Sequence, residues 1–510
     1  MCDLRQKLQS FASLEHKFNH EPDPLEHVPG LELLGNMPPN KKSVELEKSI
    51  LGIGFETLDR DTFDPAELFD VLNESGVKYA RCQTGWMKCE KVVGEYDFNW
   101  LDSIADGLLE RKIEPWFSLS FGHPVHTPSP LYEKMIAESR KNGTQLPGEP
   151  RGWVGETPYL HGPAAMEAWK KYVAAICRHF KGRVRIWEIW NEPEAATFWR
   201  CKGERSRLNH FERAAQFTEF ARITADLIRT IIPDAKIITP VAQTGSDYIR
   251  GLGAAGLGDV IDAFSFHFYG PVPEEQLEAR IAHIRAHIRR SDGKPLAILQ
   301  GESGRATGKS AHFAFPSQLG QARYIARRYL IDFKNGMELS SLFTASDLLC
   351  YYPDGSDQYY GIFDQKNKTP KLGWATIRSM SWLFDGLELA PEFISVFRPL
   401  SRFMVGSWLP YQAVTVSMRR KGVPVFAVWV PEHVELSMPL TMGAFHCLTE
   451  EKSLMPDPVI IDPIRRKVWN ASKIVKKQTY EMLGADIFSP FPVSNAPLIV
   501  TDASIFDELL

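Results

Sequence analysis

Between about residue 50 and residue 386 the sequence repeats one pattern eight times. A short apolar run of strand length is followed by a longer stretch with helical periodicity. The runs cover 51–55, 77–82, 114–121, 184–190, 236–240, 263–268, 296–300 and 340–344. Helical signals fill the gaps between them. Asp64 stands as an N-cap before Pro65, opening a segment that runs to residue 75. The segment 100–111 puts Leu101, Ile104, Ala105 and Leu108 on one face. The stretches 164–180 and 211–232 are longer and similarly striped, and 317–335 stops at Gly336. Parallel strands need a long crossover, usually a helix, so eight such units predict an α/β fold, a closed (β/α)8 TIM barrel over 49–386. An open doubly wound sheet is the alternative, but its phosphate-binding glycine pattern is missing. Gly52-Ile53-Gly54 runs directly into Phe55 and Glu56.

The flanks have a different texture. Residues 1–48 are charged and proline-punctuated, and read as an extension packing on the barrel or on an accessory module. From 387 to 510, short β-branched runs at 413–417, 423–430, 459–461 and 498–500 are separated by turn residues, which predicts a C-terminal β-sandwich. Arg419-Arg420-Lys421 followed by Gly422 reads as a hairpin tip, too short for a nucleic-acid site. A net charge of −4 supplies no basic field for nucleic acid. No apolar run approaches membrane-spanning length, and the first residues lack a signal-like core, so neither a membrane partner nor secretion is expected. Seven cysteines without a CxxC pair argue against a disulfide framework or a cysteine zinc site, and for a cytoplasmic protein with free thiols. No cofactor or metal is expected. Self-association through the module is left open.

In a barrel of this kind chemistry sits at the C-terminal ends of the strands. The fourth run ends Trp190-Asn191-Glu192-Pro193, and the seventh ends Gln300-Gly301-Glu302-Ser303. A carboxylate just past a buried strand has no solvated helix face to account for it. Glutamates on strands four and seven of a closed barrel can face each other across the mouth, the arrangement glycoside hydrolysis requires. Glu188 lies inside the fourth strand and reads as a supporting residue.

These motifs resemble glycoside hydrolase clan A, and most nearly family 39, the β-xylosidase type. The likeness extends to Ser265-Phe266-His267-Phe268-Tyr269-Gly270 on strand six, to Phe343-Thr344-Ala345-Ser346-Asp347 on strand eight, and to a final helix ending Phe384-Asp385-Gly386. It covers roughly residues 50–390 and is shared in large part with families 5 and 51. The resemblance implies Glu192 as general acid/base and Glu302 as nucleophile. It implies that Asn191 binds the sugar 2-hydroxyl, that Tyr269 and Arg81 hold Glu302 ionised, and that His267 lines the base of the pocket. Phe343 stands where family 39 has a tryptophan, which leaves the sugar open. The implied activity is retaining, exo-acting β-glycosidase action on a carbohydrate substrate. The other readings are β-glucosidase, β-galactosidase or arabinosidase activity, a non-catalytic sugar-binding protein, and a metal-dependent hydrolase.

Aromatic and polar residues on the loops after the strands are the candidates for further sugar contacts. They are Trp86, His123, Trp153 and Trp199, with Asp347 after strand eight and Glu156, Tyr159 and His161 on a long loop over 122–163. A long-looped barrel of this kind is expected to form a pocket rather than a cleft. Trp116 lies within a strand and is expected in the core. His283 and His287 are four apart on a helix but lack the glutamate of a zinc-protease motif, and arginines surround them.

Overall fold

The computed structural model describes residues 2–13, 23–143, 153–195, 197–200, 209–242, 247–308, 316–351, 355–399, 413–438, 440–449, 455–480 and 483–509. Eight parallel strands close into a barrel: Leu51–Gly54, Tyr79–Gln83, Glu114–Leu119, Ile186–Ile189, Lys236–Val241, Ala263–His267, Ala297–Ser303 and Ser340–Leu342. The first and eighth pair through Leu51 with Ser340 and Ile53 with Leu342, so no edge is left open. Every predicted run is a strand, with ends that coincide or differ by at most three residues. The interior is filled at its lower end by Trp116, Ile186, Ile238, Ala263, Leu299 and Leu339, which makes it a packed core rather than a channel.

The helices include Phe69–Ser75, Asn99–Leu109, Pro163–Phe180, His210–Ile231, Leu277–His287, Gln318–Lys334 and Leu372–Phe384. The expected N-cap at Asp64 is present. Its side chain accepts from the Ala66 N–H, but it opens a 3-10 turn, Pro65–Glu67, and the α-helix begins only at Phe69. The loop expected over 122–163 is not irregular throughout. It carries a helix, Pro130–Asn142, and a 3-10 turn, Pro158–His161; residues 144–152 lie outside the described set. Among the described residues no helix is long and apolar enough to cross a membrane.

Among the described residues, those from 387 onward, joined by one N-terminal strand, form two antiparallel sheets. One has seven strands, in the order Glu32–Asn36, Lys467–Asn470, Pro458–Asp462, Leu498–Asp502, Val423–Trp429, Val414–Arg420 and Leu387–Leu389. The other has four: Ile394–Pro399, Thr441–Thr449, Leu483–Val493 and Val475–Tyr480. Strand alternation explains the apolar texture of this region. Val425, Ala427 and Trp429 join the core shared with the barrel, whereas Phe426, Val428 and Val430 face the second sheet with Phe445, Phe488 and Phe491. The seven-stranded sheet is therefore buried on both faces. Lys421 and Gly422, both with positive φ (48° and 87°), make the two-residue turn of the hairpin predicted there. The N-terminal segment is part of this architecture: Glu32–Asn36 pairs antiparallel with Lys467–Asn470, and Leu4 and Leu8 of the helix Cys2–Gln9 are buried in the barrel-side core.

Candidate active site

Arg81, on the second barrel strand, organises the mouth. Its side chain is wholly buried and all five N–H groups are engaged. Nη1 donates to Glu56 Oε1 at 3.0 Å and to Glu302 Oε2 at 2.5 Å. Nε and Nη2 donate to Glu188 Oε1 at 2.9 and 2.5 Å, and Nη2 also donates to Asn191 Oδ1 at 2.8 Å. One guanidinium thus joins the ends of strands one, four and seven. A lysine could not reproduce that planar fork.

The two candidate catalytic residues are aimed by local departures from regular backbone. On strand seven the pairing register shifts between Gln300 and Ser303, a bulge at Gly301 that re-aims Glu302 into the mouth. A Cβ at Gly301 would stand 2.0 Å from Ser265 Oγ, so a side chain there is excluded. At the end of strand four, Trp190 and Glu192 both have positive φ, 66° and 41°. Non-glycine residues in this region carry a conformational cost, and they persist where surrounding contacts over-determine them. Here Trp190 is clamped by its indole N–H to the Phe198 carbonyl at 2.5 Å, and the Glu192 carboxylate is clamped by His267.

His267 Nδ1 lies 2.7 Å from Glu192 Oε1 and 3.7 Å from Glu302 Oε2, and Tyr269 Oη donates to Glu302 Oε1 at 2.6 Å. A carboxylate oxygen of Glu192 and one of Glu302 lie within 4.8 Å of each other. Burial alone would raise the Glu302 pKa, but the charges of His267 and Arg81 and the hydrogen bonds from Tyr269 and Arg81 outweigh it and hold the carboxyl below its usual value. Burial pulls His267 down, whereas the carboxylates of Glu302 and Glu192 pull it up more strongly. Glu56 behaves oppositely to Glu302. Burial, reinforced by the charges of Glu302 and Glu188, overcomes Arg81 and pushes its carboxyl up to about 8.

These groups open into a cavity of about 1140 Å³. Asn191, Glu192, Tyr269, Glu302 and Phe343 line it, and Arg81 and His267 lie directly beneath. Phe343 packs edge-on to Tyr269 and Tyr360. Several other predicted contacts lie elsewhere. Trp86 is fully buried, stacked on His126 and Tyr172, with its indole N–H on Glu90. His123 is bonded to the Glu90 carbonyl and packs against Trp86, and so does not reach a substrate. Trp199 is buried among Trp190, Phe217 and Phe220. Trp153 packs on Tyr132. Burial is the common reason: flat apolar rings after the strands are consumed by packing the barrel wall against its helices. Asp347 is 2% exposed and bonded to Lys371 at 2.6 Å, which makes it a structural ion pair. Glu156 and His161 pair with each other, Tyr159 packs near Trp199 and Phe220, and Trp116 is core as expected.

Sequence reasoning missed Glu56, Gln83, Arg305 and His433, all of which line the cavity. Glu56 follows the first strand and Gln83 ends the second, so the strand-end rule that found Glu192 and Glu302 reaches them too. Arg305 is three residues past Glu302. His433 belongs to the C-terminal module and carries no sequence signal.

No family model matches the chain. A β-xylosidase of Geobacillus stearothermophilus is 24% identical over 159 residues, 30% of this chain and 26% of that protein. A β-galactosidase of Clostridium cellulovorans is 30% identical over 131 residues, 24% of this chain and 19% of that protein. The match thus spans about a quarter or less of these curated relatives. Among solved structures, a family 39 glycoside hydrolase of Bacteroides cellulosilyticus aligns over 92% of this chain and 82% of its own, with a TM-score of 0.59 at 13% identity. A family 30 subfamily 8 xylanase of Clostridium acetobutylicum aligns over 92% of this chain and 97% of its own, with a TM-score of 0.50 at 12% identity. The resemblance carried by the strand-end motifs is thereby matched at the level of architecture: the chain has the barrel-and-sandwich fold of glycoside hydrolases of families 39 and 30.

Proposed function

We propose that the protein is a retaining glycoside hydrolase that removes a terminal sugar from a β-glycoside, with xylosides and galactosides as the first substrates to consider. The observation that carries this reading is the carboxylate pair on strands four and seven, with oxygens within 4.8 Å of each other. Retaining enzymes hold their carboxyl groups about 5–5.5 Å apart, whereas inverting enzymes leave about 6.5–9.5 Å for a water. The partial likeness to a β-xylosidase and a β-galactosidase supports the substrate class.

The roles follow from the surroundings of each group. Glu302, kept ionised by Arg81, His267 and Tyr269, attacks the anomeric carbon and forms an ester to the sugar as the glycosidic bond breaks. Glu192 gives its proton to the leaving oxygen. It then takes a proton from the water that cleaves the ester, restoring both residues. Asn191 accepts from Arg81 through Oδ1, which leaves its amide N–H groups for a sugar hydroxyl. Phe343 and Tyr360 supply apolar surface for the ring. The cytoplasmic reading rests on the thiols: Cys82, Cys89, Cys177, Cys350 and Cys447 are free.

The test is a panel of aryl β-glycosides of xylose, galactose, glucose and arabinose, with the anomeric configuration of the first product followed by NMR. The β-anomer is expected. An α-anomer as first product would overturn the retaining assignment, and no hydrolysis of any substrate would overturn the glycosidase reading.

A further inference from the structure

Among the described residues, the sandwich reaches the cavity at the barrel mouth through the loop that carries His433. Residues 430–438 leave the strand Val423–Trp429 and bond to the segments that follow barrel strands six and seven, at Pro271 and Arg305. The loop is held at several points. Glu435 Oε1 accepts from Arg305 Nε at 2.5 Å, with both side chains only 2% exposed. Arg327 Nη1 donates to the Glu432 carbonyl at 2.6 Å. Asn495 Nδ2 donates to the carbonyls of His433 and Leu436 at 2.9 and 2.8 Å. The Val434 N–H donates to the Pro271 carbonyl at 3.2 Å. Arg327 is itself bound through its guanidinium to the Glu274 carboxylate, and Trp429 donates to the same carboxylate at 2.7 Å.

Ordering each loop residue costs about 1–2 kcal/mol of backbone entropy, so this set of bonds fixes a segment that would otherwise move freely. Between the anchors stands His433, which lines the cavity holding Glu192, Tyr269 and Glu302. Its Nδ1 accepts from the Glu435 N–H at 3.3 Å, so the ring proton is on Nε2. Burial and the charge of Arg305 hold its pKa below the usual histidine value, against the pull of Glu435, so at neutral pH the ring is uncharged.

We infer that His433 is a sugar-binding residue supplied by the β module, its Nε2–H donating to a hydroxyl of the sugar held at the carboxylate pair. The module is then part of the substrate site. This inference rests on the proposed glycosidase function for its ligand class, but its own readout is binding. A neutral donor suits an uncharged hydroxyl, and its rigid mounting limits the entropy lost when substrate arrives.

The experiment uses the full-length protein and three variants, His433→Ala, His433→Gln and, on the same loop but exposed and outside the cavity lining, Leu436→Ser. Two quantities are read: kcat/KM on the best aryl glycoside, and the affinity for xylose and galactose by calorimetry in a Glu302→Gln background. His433→Ala is expected to lower both about tenfold, the worth of one ordinary hydrogen bond, with Tm unchanged. His433→Gln, which retains an N–H donor, should recover part of the loss, and Leu436→Ser should match the wild type. Unchanged kcat/KM and affinity in His433→Ala would overturn the inference. So would a loss accompanied by a fall in Tm and not recovered by glutamine. Hydrolysis that proceeds without dependence on His433 sinks this inference alone. Sugar binding that depends on His433 without hydrolysis sinks the glycosidase reading and leaves this one standing.

Discussion

Two barrel strands, the first and the seventh, each deliver a glutamate to the same nitrogen of Arg81, at 3.0 and 2.5 Å, and the two carboxyls are driven in opposite directions. Glu56 is pushed up to about 8, whereas Glu302 is held below its usual value. The shared cation cannot account for the difference. Glu302 has in addition the Tyr269 hydroxyl, and the His267 charge is its strongest lowering influence; at Glu56 that charge ranks last, behind the repulsion of two carboxylates, and the hydrogen bond is the weaker amide of Gln83 at 3.3 Å. A buried cation shared by three carboxylates cannot keep them all ionised, and the second partners decide which one yields.

That contrast is open to attack at three points. The largest effect is expected from Glu302→Gln, which should lower kcat by on the order of 10⁴-fold or more without unfolding the protein, as loss of a nucleophile does. Circular dichroism and kinetics together read this, and substantial residual activity would remove Glu302 from the nucleophile role. Next, Tyr269→Phe removes a donor that favours the ionised Glu302. Rate should fall about 10- to 100-fold, the worth of a hydrogen bond to a charged group. The acid limb of the kcat/KM profile should move to higher pH, because the carboxyl loses a contact that lowers its pKa. An unmoved limb would assign the limb to another group.

The smallest effect on rate belongs to Glu56→Gln. At neutral pH the wild-type carboxyl carries a proton, and an amide imitates it, so kcat should stay within a few-fold. Its signature is in stability. A carboxyl whose folded pKa is raised above its ordinary value of 4.5 contributes stability that is complete below 4.5 and is lost as pH rises towards about 8. Glu302, shifted the other way, contributes stability present above 4.5 and lost as pH falls. In Glu56→Gln, Tm should therefore decline less between pH 5 and 8 than in the wild type. A parallel decline in both proteins would show that Glu56 is already ionised.

The barrel was legible in the sequence because a buried parallel strand and an amphipathic helix have distinct periods, and turn residues separate them. Glu192 and Glu302 were legible because a carboxylate at a strand end has few structural explanations. The aromatic contacts were not. Trp86 and Trp199 follow barrel strands as a sugar platform would, yet they are buried against Trp169, Tyr172 and Phe220 on helices that pack outside the wall. Side-chain chemistry says that an indole wants a flat apolar neighbour, but not on which side of the backbone it finds one. His433 was invisible for a different reason. Its place at the mouth depends on Arg305, Arg327 and Asn495, residues that lie 60 or more positions away, and no local pattern encodes such a meeting.

The pairing of Glu32–Asn36 with Lys467–Asn470 sets an order in time. The earlier strand must wait, unpaired, until residues 467–470, more than 400 positions further along, have been synthesised. The cover that Val425, Ala427, Trp429, Val459 and Ile461 give the barrel flank is likewise joined into one sheet only when Leu498–Asp502 pairs between their two strands. The strands Pro458–Asp462, Lys467–Asn470 and Leu498–Asp502 therefore complete both the sheet and the cover of the barrel wall, and a chain interrupted before them would leave a greasy face exposed to whatever else is folding nearby.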